Sequence, residues 1–142
     1  MNAQDHYLLD TNVISETRRK NADAHVVAFL NSVDPSSLHF SILTLGELRK
    51  GVAVKRQSDP EIAKQLTTWV DGLELSFADR ILGIDADTAR LWGELSAQRP
   101  RPVIDTLLAA TAAVHGLTFV TRNTRDVQDI KVKLLNPWLK VH

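Results

Sequence analysis

Short apolar runs of strand character alternate with longer amphipathic runs of helical character along the whole sequence, and this alternation restricts the fold more than any other feature. Residues 6–10, 38–42, 80–84, 117–121 and 131–135 read as strands, the last as an edge strand. Residues 13–19, 23–33, 44–55, 85–98 and 103–115 read as helices, and Pro60 opens a further long one. In that helix Ile62, Leu66, Trp69, Val70 and Leu73 recur at the helical period, and Gly116 stops the last helix. Asp34-Pro-Ser-Ser37 reads as a turn, and Arg99-Pro-Arg-Pro102 breaks the chain between two helices. The pattern predicts α/β architecture: a mainly parallel sheet with helices on both faces. The 142 residues suit one domain, 1–142, large enough to bury a core without staples.

Composition narrows the chemistry. With no cysteine, disulfides, thiolate metal sites and cysteine nucleophiles are excluded. The 17 basic and 17 acidic groups cancel, which argues against nucleic-acid binding by bulk charge alone. Their distribution is uneven, since residues 99–142 carry 7 basic and only 3 acidic groups. The start of the chain, from Met1, is too polar for a signal peptide, and no apolar run approaches the roughly 20 residues of a membrane span. A soluble, cytoplasmic protein is the expectation. Five histidines without a His-x-x-x-His pair make zinc a poor choice, and Trp69, Trp92 and Trp138 suit packing better than base stacking.

In parallel α/β sheets ligands collect beyond the carboxyl ends of the strands. Acids occupy that end. Asp10 closes the first strand, Glu47 lies in the first turn of the helix after the second, Asp105 lies in the first turn of the helix feeding the fourth, and Asp126 follows the fourth. Each has an ordinary structural reading. Asp10 or Asn12 caps a helix starting at Val13; Thr44-Leu-Gly-Glu47 matches a capping box; Asp105 suits a helix dipole; Asp126 caps a turn. Asp85, after the edge strand, reads as a cap only. Taken singly, the capping readings prevail. Crowded together, several carboxylates repel unless a cation joins them. Hard oxygen ligands suit Mg²⁺ or Mn²⁺, which polarise a phosphoryl oxygen and activate water, so the cluster suggests metal-assisted phosphodiester hydrolysis. Two other classes remain open. One is a phosphoryl-transfer hydrolase with Asp10 as covalent nucleophile, although Asn12 stands where such enzymes place a second Asp. The other is a module without catalysis that binds a partner or nucleic acid.

Five segments occur in order: Leu8-Leu-Asp-Thr-Asn-Val-Ile-Ser-Glu16, Thr44-Leu-Gly-Glu-Leu-Arg-Lys-Gly51, Asp105-Thr-Leu-Leu-Ala-Ala-Thr-Ala112, Val120-Thr-Arg-Asn123 and Asn136-Pro-Trp138. Together they resemble the PIN-domain ribonucleases, in particular the VapC and FitB branch of bacterial toxin–antitoxin pairs. The resemblance implies a five-stranded sheet in the order 3-2-1-4-5 and an Mg²⁺- or Mn²⁺-dependent endoribonuclease acting on RNA. It implies a homodimer, neutralised by a small antitoxin that also binds DNA and joins it in a higher assembly. Asp10, Glu47 and Asp105 match the family's first three acids. Relatives place the fourth either where Asn123 stands or where Asp126 stands, and Asp126 is the acid here. Thr11 and Asn12 match the segment that supports Asp10, and Asn123 supports the site from the other side. Arg49, Arg122 and Arg125 are candidates for RNA contact, because an acidic site needs nearby cations to accept a phosphate backbone.

Overall fold

A computed structural model describes residues 5–139. The outermost residues of the expected 1–142 domain, including the polar start at Met1, lie outside the described residues. Five strands form one sheet: β1 (Tyr7–Leu9), β2 (Leu38–Ser41), β3 (Ile81–Leu82), β4 (Thr118–Val120) and β5 (Leu134–Leu135). Their order is β3-β2-β1-β4-β5, and every pairing is parallel, as expected. The helices are α1 (Thr11–Arg18), α2 (Ala24–Ser32), α3 (Ile42–Ser58), α4 (Pro60–Ser76), α5 (Ala86–Gln98) and α6 (Val103–His115).

The side-chain period of two sorts the sheet residues between two cores. Tyr7, Leu9, Phe40 and Val120 pack with Val13, Val26, Phe29, Leu48, Val52 and Val70 from α1 to α4. Leu8 and Phe119 face the other way, onto Leu95 of α5, Leu108 and Ala109 of α6, and Val127 and Ile130. Strands buried on both faces read as continuous apolar runs, and this is why 6–10 and 117–121 stood out in the sequence. Gly116 ends α6 in the left-handed conformation at φ 67°, with its N–H returned to Ala112 and Ala113.

Several boundaries shift. The strands are shorter than the apolar runs that announce them; 131–135 contracts to Leu134–Leu135 because only Phe119 and Val120 offer it partners. Helix α1 starts at Thr11 rather than Val13, since Asp10 alone is the cap. Helix α3 starts at Ile42 rather than Thr44. Ser41 is its cap, accepting from the Leu43 N–H at 3.0 Å, so Glu47 lies beyond the first turn and the capping-box reading fails. Helix α3 also runs on to Ser58 rather than ending at Lys55, and the remaining helix ends agree to within a residue, with Asp85 capping α5 through the Thr88 N–H at 2.8 Å. His115 meets that same Asp85 carboxylate at 3.1 Å, not the terminal carbonyls of its own helix.

Candidate active site

Strand β1 lies between β2 and β4, so the connections leaving the sheet diverge on either side of its carboxyl end and open a crevice there. Asp10 stands at that point. It is buried, at 4% exposure, and its backbone N–H continues the ladder to the Val120 carbonyl at 2.9 Å. One carboxylate oxygen accepts the Thr11 N–H at 2.7 Å; the other accepts the Thr121 hydroxyl, also at 2.7 Å. Thr121 in turn accepts the Asn123 N–H at 3.0 Å. The link follows from register: Leu9 pairs with Val120, so the next residues on the two strands are neighbours.

Glu47 and Asp105 act on Asp10, and Asp126 acts on Asp105. The Thr11 hydroxyl donates to Glu47 Oε1 and is hydrogen-bonded to the Thr44 hydroxyl at 3.1 Å, tying α1 to α3. Burial, followed by the charges of Asp105 and Glu47, pushes the Asp10 carboxyl up to about 6, against the pull of its hydrogen bonds from Thr121 and Thr11. Asp105, half-buried in the first turn of α6, is likewise raised: first by burial, then by the charges of Asp126 and Glu47. Asp126 lies on the 3-10 turn Thr124–Asp126 after β4. The fold therefore links the four acids from four separate segments: Asp10, Glu47 and Asp105 act on one another, and Asp126 acts on Asp105.

The supporting residues divide. Thr11 is engaged as described. Asn12 Oδ1 is buried with no hydrogen-bond donor facing it. The Asn123 side chain makes no capping bond and is exposed; its backbone N–H is what acts on the site. Of the arginines, Arg49 turns to α4, pairing with Asp71 at 2.8 Å and Glu74 at 2.9 Å, so its guanidinium is already spoken for. Arg122 stacks 5.0 Å from the Trp138 ring centroid, and Arg125 is exposed. Sequence reasoning missed Thr121, which lay inside a quoted segment without a role. A hydroxyl immediately after a buried strand, across from Asp10 in a parallel sheet, was the available signal.

The donor set suits a hard divalent cation. It is all oxygen and negatively charged, and a cation relieves the two raised carboxyls, buried Asp10 and half-buried Asp105. The orphaned Asn12 acceptor would be satisfied by a water in such an ion's shell. Among the described residues no three acids or histidines are grouped closely enough to hold a metal ion by themselves. Mg²⁺ keeps several waters and uses few protein carboxylates, so fewer direct ligands would suffice for it. A cavity of about 750 Å³ lies elsewhere, against Tyr7, Phe29 and Leu134.

Comparison with known proteins places the chain in a family. The PIN domain family pattern matches residues 7–133. The chain belongs to the PIN-domain family. This PIN domain is 35% identical over 140 residues to the toxin FitB of Neisseria gonorrhoeae, covering 92% of this chain and 97% of that one. It is 34% identical to the VapC ribonuclease Y4jK of Sinorhizobium fredii, covering 92% and 96%. In the solved structure of FitAB bound to an IR36 DNA fragment, the matching chain superposes with a TM-score of 0.85 at 32% identity, covering 96% of this PIN domain and 98% of that chain.

Proposed function

We propose that this PIN domain is a divalent-metal-dependent endoribonuclease and the toxin of a toxin–antitoxin pair. The observation that carries the reading is the convergence of Asp10, Glu47, Asp105 and Asp126 at the carboxyl end of β1, in a chain whose relatives include a VapC ribonuclease and the toxin FitB. Those four acids are the ligand set, with Mg²⁺ or Mn²⁺ as the ion. When bound, the ion supplies charge neutralisation of the scissile phosphate and activation of the attacking water. The chain's own residues hold the site in place: Thr11 and Thr121 orient Asp10, Thr11 also fixes Glu47, and Asn12 offers an acceptor to water. Asp10 as a covalent nucleophile is disfavoured, because both of its oxygens are occupied and it is buried. Arg122 and Arg125 face solvent beside the fourth acid and serve as RNA contacts; Arg49, held by α4, serves less well.

The partner is a small DNA-binding antitoxin, as the FitAB–DNA complex suggests, acting in the cytoplasm on a homodimer of this chain. Among the described residues no helix is long and apolar enough to cross a membrane. A cavity of about 270 Å³ extends from Thr11 and Glu47 to Trp69 and Val70, giving a partner segment a route to the acids. A partner's Arg or Lys would satisfy those carboxylates in place of metal.

Cleavage of mixed RNA with titrated Mg²⁺ or Mn²⁺ tests the reading. Cleavage is expected only with the ion, and is expected to vanish in Asp10→Asn and Asp105→Asn. Undiminished cleavage in excess EDTA, or by both variants, would overturn it.

A further inference from the structure

We propose that Arg99, Arg101 and Asp129 form a clamp that holds Asp126 beside Asp105 and thereby sets the affinity of the acidic site for its divalent ion; the inference rests on the metal-dependent reading above. Asp126 has little of its own to keep it in place. It is exposed, its side chain makes no hydrogen bond or ion pair among the described residues, and its short turn lacks a side-chain cap. Its charge and that of Asp105 repel, which favours movement of the turn outward unless a cation or a scaffold offsets it.

The clamp opposes that movement. Arg101 lies in the link between α5 and α6, with its side chain only 1% exposed. It is anchored to the end of α5, donating to the Leu95 carbonyl at 2.8 Å and to Gln98 Oε1 at 2.9 Å. Its remaining donors grip both carboxylate oxygens of Asp129, at 3.1 and 3.0 Å. Arg99 donates to the same two oxygens at 3.3 and 3.1 Å and to the backbone carbonyl of Asp126 at 3.4 Å. The hydrogen bonds from Arg101, then Arg99, hold the Asp129 carboxyl far below the usual carboxylate range. Between these contacts Val127 and Ile130 insert into the second core.

The geometry joins the two segments that carry the two acids. Arg101 lies four residues before Asp105, next to Pro102, the first residue flanking α6; Asp129 lies three residues after Asp126. A guanidinium gripping both oxygens of a carboxylate fixes direction as well as distance, while an ion pair whose carboxylate is exposed adds little net stability. Its contribution here is position: Asp126 is kept where an ion needs it before the ion arrives, so less ordering remains at binding.

Isothermal titration of Mn²⁺ alone into the metal-free full chain tests the clamp without recourse to activity. Asp129→Asn is expected to weaken Mn²⁺ binding about tenfold, the usual scale for a residue that orients a ligand. Arg99→Ala, an exposed side chain, is expected to weaken it to a smaller extent and carries the test alone if Asp129→Asn does not fold. Wild-type Mn²⁺ affinity in the folded variants would overturn the clamp, even if their Tm falls, provided that Asp105→Asn loses the ion. Should the wild type take up no Mn²⁺, or Asp105→Asn bind it undiminished, the metal site itself would be refuted and the clamp with it.

Discussion

Asp10 performs two jobs that conflict. As the cap of α1 and the partner of Thr121 it is an ordinary structural aspartate, yet burial and two neighbouring acids raise its carboxyl from 3.8 to about 6. A folded value above the unfolded one means that the folded chain binds the extra proton between about pH 4 and 6. Ionising Asp10 at neutral pH therefore weakens the metal-free fold, by about 3 kcal/mol at most, and the penalty is relieved as the pH falls. Asp10→Asn keeps a capping oxygen and removes the penalty. The variant is expected to be more stable than the wild type at pH 7, with the gap narrowing by roughly half at pH 5. Urea denaturation of both proteins at the two pH values checks this, and a gap that widens at pH 5 would contradict it. The fourth acid is tested by comparison: Asp126→Asn is expected to impair cleavage more than Asn123→Ala, because the exposed Asn123 side chain makes no capping bond. Rates at saturating Mg²⁺ decide, and the reverse order would reassign the ligand.

Helix α3 separates folding from function along its own length. Ser41 does the capping at its start, whereas Glu47, in the next turn, reaches back to Thr11. Ser41→Ala is expected to cost about 1 kcal/mol of stability. Glu47→Gln is expected to abolish cleavage without that cost. Thermal unfolding beside RNA cleavage for the two variants separates the roles; a loss of stability in Glu47→Gln equal to that in Ser41→Ala would restore the capping box. Two residues on from Glu47, about 200° around the helix, Arg49 is directed at α4 instead. Opposite faces of one helix thus serve the site and the α3–α4 packing.

At the scale of the whole molecule, Glu47 and Asp126 are exposed, and restraint of the acidic site is expected from a partner. Expression of the chain alone in a bacterial host is expected to arrest growth. Asp10→Asn is expected to relieve the arrest, as is co-expression of the cognate antitoxin. Normal growth with verified soluble, metal-active protein would point to a nuclease that needs no restraint.

The architecture was legible in the sequence because a strand covered on both faces must be apolar throughout and a helix covered on one face must repeat at its own period. Leu8 and Leu9, Phe119 and Val120, and the Ile62–Leu73 stripe carry that information locally. Helix ends were legible where one residue makes the turn, as at Gly116 and Asp85. The acids themselves could be placed after their strands, but Thr44-Leu-Gly-Glu47 was ambiguous: a capping box is a local hydrogen bond, and only the backbone start at Ser41 excludes it. What tertiary structure alone decided depends on contacts far apart in the chain. Thr121 meets Asp10 across 111 positions because Val120 pairs with Leu9. Arg101 grips Asp129 across 28 positions because α5 and the loop after β4 share a core. Arg49 is turned away from the acids by Asp71 and Glu74 on a neighbouring helix. Charge–charge and hydrogen-bond partners of this kind leave no period in the sequence, since their energies depend on distance in space and not on spacing along the chain.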